Sequence, residues 1–413
     1  LTSGFSVKVA QAFGAGDEAR VRRAVGMSYL LCVAVAVVVT AVAVPLTAPL
    51  LRLMQTPSAY YDYAYWYLLI IFCGIGATVF YNIVAGLLRA VGDSRTPLYF
   101  LVAAAVLNVG LDFAFIMGCG WHYCGAALAT VLSQLLSGGA CLAYALYRYP
   151  VLRPARSDFG WDTRLAMGHF AVGLPMALQF SITAIGCIVQ QTALNGLDAA
   201  LPGAVTAYTA ASKIDNIANQ VFVALGTALA TYAGQNYGAG EFGRIRRGVL
   251  AGMVYVFAGS VIGFAFAVGL CEPLMKLFLN TDLSADVAGN YGAIIGYGRQ
   301  FLLWQCSFYP FLGAIYVYRN TLQGIGRSAV TTFAGVTELA GRVLASLVFV
   351  RVWGFTGVCS SNPVAWVAAV IFLVATYAVV MRRRNNGELP RARSRAHRRR
   401  LRRSCRIAVR RAS

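Results

Sequence analysis

The chain of 413 residues is 59% hydrophobic and 12% charged, with a net charge of +20 and a mean hydropathy of +0.64. A water-soluble domain carries about 25% charged residues, and a soluble fold of this size cannot hide so much apolar surface, so a membrane-embedded protein is expected. The apolar runs are long and continuous rather than short and alternating, which selects an all-α polytopic membrane protein over a barrel.

In chain order, a partial helix ends near Ala12 and ten candidate spans follow, at about 25–51, 62–88, 97–118, 125–147, 165–196, 203–235, 248–275, 288–322, 328–350 and 357–381. Two of them, 203–235 and 288–322, exceed the length of a straight crossing, and Pro175 and Pro363 mark expected kinks. The connecting loops alternate in charge. One set carries Arg20, Arg22 and Arg23, then Arg89 and Arg95, then Arg148, Arg153, Arg156 and Arg164, then Arg244, Arg246 and Arg247, then Arg327. The other set, at 55–62, 118–124, 195–202, 280–290 and 352–357, holds neither Lys nor Arg. The positive-inside rule makes the first set cytoplasmic, which predicts a multi-pass protein of the cell inner (plasma) membrane with a cytoplasmic C-terminus.

Much of the positive charge is local. From Arg382 onward there are fourteen arginines against one acid, Glu388. Following a hydrophobic helix, such a tail is expected to meet anionic lipid headgroups. Nucleic-acid binding is the competing reading, and no specific nucleic-acid partner is expected. The expected domains are an incomplete N-terminal bundle at 1–150, a cytoplasmic linker at 151–164, a C-terminal bundle at 165–381 and the tail at 382–413.

The sequence repeats itself. Gln11-Ala-Phe-Gly14-Ala15-Gly16 and the basic run that follows, through Arg23, match Gln235-Asn-Tyr-Gly238-Ala239-Gly240 and its run through Arg247 without a gap. Leu88-Arg-Ala-Val-Gly92-Asp-Ser94 likewise matches Leu322-Gln-Gly-Ile-Gly326-Arg-Ser328, and Gly125 matches Gly357 more weakly. Copies on the same side of the membrane with six spans between them define two six-helix bundles, related by a pseudo-two-fold along the membrane normal. Against the second half, the first lacks its first helix and most of its second, roughly 60 residues.

Three acids lie well inside spans: Asp112, Asp215 and Glu338. A charge at the bilayer centre costs about 2.5–3.5 kcal/mol on insertion scales and is a functional candidate by default. Asp112 stands one turn from Asn108 and Asp215 one turn from Asn219, so each acid shares a helix face with an amide. A carboxylate beside an amide carbonyl suits Na+ or a proton at Asp112; a hydrogen-bonded packing pair would leave the same pattern. Lys213 lies on a different face from Asp215. Glu338 and Arg342 have ion-pair spacing, which serves structure, or else gating or substrate contact. The ten cysteines show no metal spacing. Cys119 and Cys124 share one short loop, as a disulfide or as two free thiols, and His122 and His169 stand alone. The Gly-Ala-Gly turns lack the Lys-Ser/Thr of a nucleotide loop and read as helix C-caps.

The repeated Gln-x-x-Gly-Ala-Gly-x4-Arg element resembles that of the multidrug and toxic compound extrusion (MATE) antiporters. So do Gly86-Leu-Leu-Arg89-Ala-Val-Gly92-Asp93, Asn108-Val-Gly-Leu-Asp112, Ala207-Tyr-Thr-Ala-Ala-Ser-Lys213-Ile-Asp215 and Glu338-x-x-x-Arg342. The resemblance covers residues 1 to about 381. It implies secondary active efflux of cationic or amphipathic drugs by antiport against H+ or Na+, without a resident cofactor or an enzymatic step, by a monomer. It also implies a first-half cation site in which Asn82 and Thr130 join Asn108 and Asp112, with Asp215, Asn219, Lys213, Glu338 and Arg342 as second-half candidates. A lipid-linked saccharide flippase of the same superfamily is the nearest alternative, disfavoured mildly by the few arginines within spans (Arg299, Arg319, Arg342). An integral-membrane transferase, of a different class, would need clustered acids or a metal motif on a cytoplasmic loop.

Overall fold

A chain in an apolar solvent must satisfy each backbone N–H and C=O within itself, so its long apolar runs become helices. The computed structural model describes residues 1–54, 56–197, 201–279 and 290–385; the arginine-rich tail from 386 onward lies outside the described residues. Among the described residues the regular elements are all helical. They form two compact units, the first from Leu1 to Gly173 and the second beginning at Leu174.

The first unit contains α1 (Thr2–Gly14), α2 (Glu18–Leu53), α3 (Ser58–Cys73), α4 (Ile75–Ala90), α5 (Arg95–Asp112) and α6 (His122–Arg148), together with the start of α7 (Thr163–Asn195). Helices α4 and α5 both pack along α6, while α1 and α2 pack on α4. Phe5, Val9, Val25, Leu31, Ile83 and Leu88 form the centre of its core. The polar segment between α6 and α7 folds back on α2, where Asp158 pairs with Arg22 at 3.6 Å. His169 does not stand alone: it is fully buried, with Nδ1 2.8 Å from the Leu165 carbonyl and Nε2 3.2 Å from Ser28 Oγ on α2. Cys119 and Cys124 are both free thiols.

The second unit continues with α8 (Ala204–Gly238), α9 (Phe242–Gly269), α10 (Cys271–Phe278), α11 (Tyr291–Ser307), α12 (Tyr309–Gly324), α13 (Ser328–Leu344) and α14 (Phe355–Asn385). Helix α8 packs along α9, α11 and α12, and α13 packs along α14. Its core gathers Ile214, Phe222, Phe301, Tyr309 and Val358.

Eight helices are long and apolar enough to cross a membrane singly, and two bent pairs bring the number to ten among the described residues. These ten match the apolar runs of the sequence in order. The run at 248–275 is divided, with its span ending at Gly269 and α10 following as a short separate helix. Helices α7 and α14 continue through Pro175 and Pro363. The bends above 40° lie elsewhere, 43° between α3 and α4 at Gly74 and 45° between α11 and α12 at Phe308.

Exposure is inverted relative to a soluble protein. Val38, Val106, Val254 and Phe257 each leave more than 60% of their surface open, while Gln179, Gln190, Gln305, Gln323 and Glu338 are buried. In a bilayer this is the favourable arrangement, because lipid accepts apolar side chains and polar groups find partners only in the protein.

The repeat is visible in backbone detail. Positive φ recurs at Gly16 and Gly240 (70° and 71°), at Gly92 and Gly326 (99° and 84°), and at His122 and Gly354 (39° and 55°). Both α5 and α13 run into a π-helical turn, Phe113–Gly118 and Ala345–Phe349. Gly125 then packs on Phe115 as Gly357 packs on Phe349. Pro49-Leu-Leu-Arg-Leu53 at the end of α2 also matches Pro273-Leu-Met-Lys-Leu277 in α10.

Between α4 and α5, Asp93 Oδ1 accepts from the backbone N–H groups of Arg95 (3.1 Å) and Thr96 (3.0 Å), capping α5 from one residue ahead. Its Oδ2 accepts from the Tyr149 hydroxyl at 2.9 Å, tying this turn to the end of α6. Burial alone would raise the Asp93 carboxyl, but the bonds from Thr96, Tyr149 and Arg95 outweigh it and hold the group below the usual carboxylate range.

Two predictions follow from these contacts. A Cβ on Gly125 would lie 2.8 Å from Phe115 Cβ, and one on Gly357 would overlap the Phe349 backbone, whereas one on Gly139 meets nothing within 4 Å. Thermal unfolding in detergent is therefore expected to show Gly125→Ala and Gly357→Ala destabilised by about 1–3 kcal/mol, and Gly139→Ala unchanged or stabilised by up to about 1 kcal/mol. Asp93→Asn should cost about 1 kcal/mol at neutral pH. Because the folded carboxyl sits lower than the unfolded one, this difference is fully present above about pH 4 and vanishes as pH falls through the lowered value.

Candidate functional site

Helix α5 carries Asn108 and Asp112 one turn apart, with Asp112 its last residue before the π-helical turn. Both side chains are half-buried. Asn108 Nδ2 and Asp112 Oδ1 are enclosed and have no hydrogen-bond partner. Buried polar atoms are nearly always paired, and these two share one helix face among the ten enclosed side-chain atoms left without a partner in the described residues. No hydrogen bond joins the two side chains to each other.

The other two first-half candidates sit on neighbouring helices. Asn82, exposed on α4, donates to the Thr78 carbonyl at 2.8 Å, and Thr130 on α6 donates to the Ala126 carbonyl at 3.0 Å. Helix α6 packs against both α4 and α5, but no hydrogen bond joins any two of the four side chains among the described residues. Three His, Cys, Asp or Glu side chains do not gather anywhere among the described residues. A cation at Asp112 would thus combine one carboxylate with neutral oxygens.

In the second unit Asp215 is buried and fully engaged. Its Oδ1 accepts from the Tyr309 hydroxyl and its Oδ2 from Asn219 Nδ2, both at 2.9 Å. Tyr309 opens α12 at the bend and stands edge-on to Phe222, 5.6 Å between ring centroids. Asn219 Oδ1 remains buried and unpartnered. Lys213 turns away from this group; it is exposed, with Nζ 5.4 Å from the Phe278 ring centre on α10.

Glu338 and Arg342 form the expected ion pair on α13, Oε1 to Nη2 at 3.0 Å, and both are buried. Arg342 Nη1 donates to the Thr183 carbonyl at 3.2 Å, and Gly186 provides the space for the guanidinium against α7. A third charge joins them: Arg319 of α12 lies 3.8 Å from Glu338 Oε2, with its guanidinium 5.0 Å from the Tyr316 ring centre. With the Gln179 amide oxygen facing Arg319, that oxygen accepts from Nη1 at 2.8 Å and Nε at 3.2 Å. The Gln323 amide bridges the Gln179 amide at 2.9 Å and Thr331 Oγ1 at 3.2 Å.

Arg319 was legible in the sequence only as one of few arginines within spans, and Gln179 and Tyr309 carried no signal. Tyr309 is one of 22 tyrosines, and the bend that aims it is invisible to hydropathy.

Ten apolar spans in a two-fold repeated order, with ionisable side chains buried deep inside them, define a polytopic membrane transporter. The MatE family model matches residues 1–114 and 175–345, and the chain belongs to this family of multidrug and toxic compound extrusion transporters. Among its relatives, the probable multidrug resistance protein YpnP of Bacillus subtilis (strain 168) is 29% identical over 286 residues, covering 68% of this chain and 59% of its own length. The probable multidrug resistance protein YoeA of the same organism is 24% identical over 399 residues, covering 93% of this chain and 82% of its own. A solved outward-facing multidrug resistance transporter of the MATE family superposes with a TM-score of 0.83 at 22% identity, covering 92% of this chain and 82% of that chain, and establishes the fold.

Removing one member of a buried charged cluster strands the others. Glu338→Gln leaves Arg319 and Arg342 without a carboxylate and is expected to destabilise the protein by about 3–5 kcal/mol. Asp215→Asn, which keeps the shape and removes an acid held only by neutral donors, should cost less; thermal unfolding of the two variants side by side checks the order.

Proposed function

We propose that this protein is a secondary active efflux transporter that expels cationic or amphipathic toxicants by antiport against H+ or Na+, coupled through Asp112. The observation that carries the reading is the enclosed, unpartnered pair of Asn108 Nδ2 and Asp112 Oδ1 inside a membrane span. An unpaired carboxylate oxygen in an apolar medium is strongly disfavoured. A proton or a Na+ ion relieves it, so the affinity of Asp112 for the ion depends on how closed its surroundings are. That dependence is what coupling requires, since an ion that binds both transport states equally drives neither.

The relatives named as multidrug resistance proteins supply the substrate class. The two repeated bundles supply the means, by exposing a central path to one side and then the other. In this reading Asn82 and Thr130 complete the ion's oxygen shell as the bundles move, the protein acts as a monomer in the plasma membrane, and the arginine-bearing loops and C-terminus face the cytoplasm.

The test uses everted vesicles holding the full-length protein and a pH-sensitive dye, with ethidium added to start transport. Drug-evoked proton movement in the parent, lost by at least about tenfold in Asp112→Asn, is the expected result. Movement that survives the substitution transfers coupling to Asp215. No response to either a pH or a Na+ gradient removes the antiport reading in favour of a flippase.

A further inference from the structure

Helix α8 exposes two faces of opposite chemistry. Thr209, Lys213, Asn216 and Gln220 are all exposed and recur every three or four residues, so they lie on one side of the helix. Half-buried Thr227 and Thr231 continue the same line. From Thr209 to Thr231 the stripe runs about 33 Å, enough to cross a hydrocarbon core of about 30 Å. Beside it Ile217 and Val221 leave 54% and 59% of their surface open. The next helix, α9, exposes Val254, Phe257, Val261 and Ile262 instead, and α8 is the least apolar of the eight single spans.

Thr209 satisfies its hydroxyl on the Val205 carbonyl at 2.8 Å, but the Asn216 and Gln220 amides make no side-chain hydrogen bond to the protein among the described residues. Bare amides are strongly disfavoured in lipid. The apolar face therefore meets lipid, and the polar stripe meets water as a wall of the transport path.

Lys213 puts a full charge on that wall. Its Nζ lies 5.4 Å from the centre of the Phe278 ring, a contact that steadies the ammonium. It pairs with no carboxylate among the described residues. Glu272, on the neighbouring α10, is taken by Lys276 at 3.0 Å, and Asp215, on another face of α8, is held by Tyr309 and Asn219. The rest of the stripe consists of neutral amides and hydroxyls, so nothing within it cancels the charge. A like charge brought within about 10 Å of the ammonium, at an effective dielectric of about 20, is disfavoured by a factor of about ten or more.

We propose that Lys213 limits the charge of the transported molecule. This rests on the efflux reading and narrows it: amphiphiles with one positive charge pass, and those with two are held back. A molecule charged at one end can turn its apolar body toward Lys213, whereas one charged at both ends cannot.

The experiment compares ethidium with propidium, which has the same ring system and a second, quaternary ammonium at the end of its side chain. The full-length protein is placed in phosphatidylcholine liposomes that enclose DNA to report arriving dye, with a pH or Na+ gradient as the drive and the membrane potential collapsed. The readout is the propidium-to-ethidium ratio of transport rates. Lys213→Gln is expected to raise this ratio at least about tenfold, while Lys213→Arg, which keeps the charge, holds the parent ratio. Asn216→Asp sets a carboxylate one turn from Lys213 and cancels its charge in place. It should raise the ratio in the same direction, and it covers the case in which Lys213→Gln does not assemble. A ratio unchanged in both Lys213→Gln and Asn216→Asp overturns the proposal, as does one raised equally by Lys213→Arg. A parent that moves the two dyes at equal rates also overturns it and leaves the efflux reading standing. A parent that moves neither dye removes that reading and this one with it.

Discussion

Inside a bilayer a polar group has no solvent to fall back on, and every feature of this protein bears the mark of that constraint. Main-chain groups close their bonds within helices. Polar side chains turn inward and meet one another: Gln305 donates to the Cys359 carbonyl and accepts from Asn362, Gln190 reaches the Val358 carbonyl, and Glu338 lies between Arg319 and Arg342. A surface of valine, leucine and phenylalanine that would aggregate in water is here the surface that dissolves. Against so consistent a pattern of pairing, the few enclosed atoms left unpaired stand out, and Asp112 Oδ1 is among them.

Much of the fold could be read from the sequence because its two governing signals are local. Apolar length locates a span, and the alternation of arginine between loops orders the spans; both survive without any tertiary information. The repeat was legible for a related reason. Its turns need residues such as Gly16 and Gly240 in a left-handed conformation, and that requirement keeps the same letters in both halves. Helix breaks were not legible. Gly74 and Phe308 divide spans whose hydropathy is continuous, and nothing in composition separates them from the unbroken passages through Pro175 and Pro363.

The site was legible in its acids and obscure in its partners. Asp112, Asp215 and Glu338 announce themselves by being charged where charge is disfavoured. What each acid can do depends on neighbours distant in sequence, Tyr309 lying 94 residues from Asp215 and Thr183 159 residues from Arg342. Three acids that look equivalent along the chain differ in space: one half-buried and incomplete, one satisfied by neutral donors, one shared between cations.

The π-helical turn directly after Asp112 has a consequence for how that residue is aimed. Asp112 therefore stands where the pitch of the chain changes: regular α turns run back from it to the Asp93 cap, and ahead of it a wider turn closes with the Cys119 N–H on the Ala114 carbonyl and seats Phe115 against Gly125. Its bearing is set from two sides at once, so a residue that widens or tightens the turn ahead re-aims the carboxylate while the cap behind it stays in place.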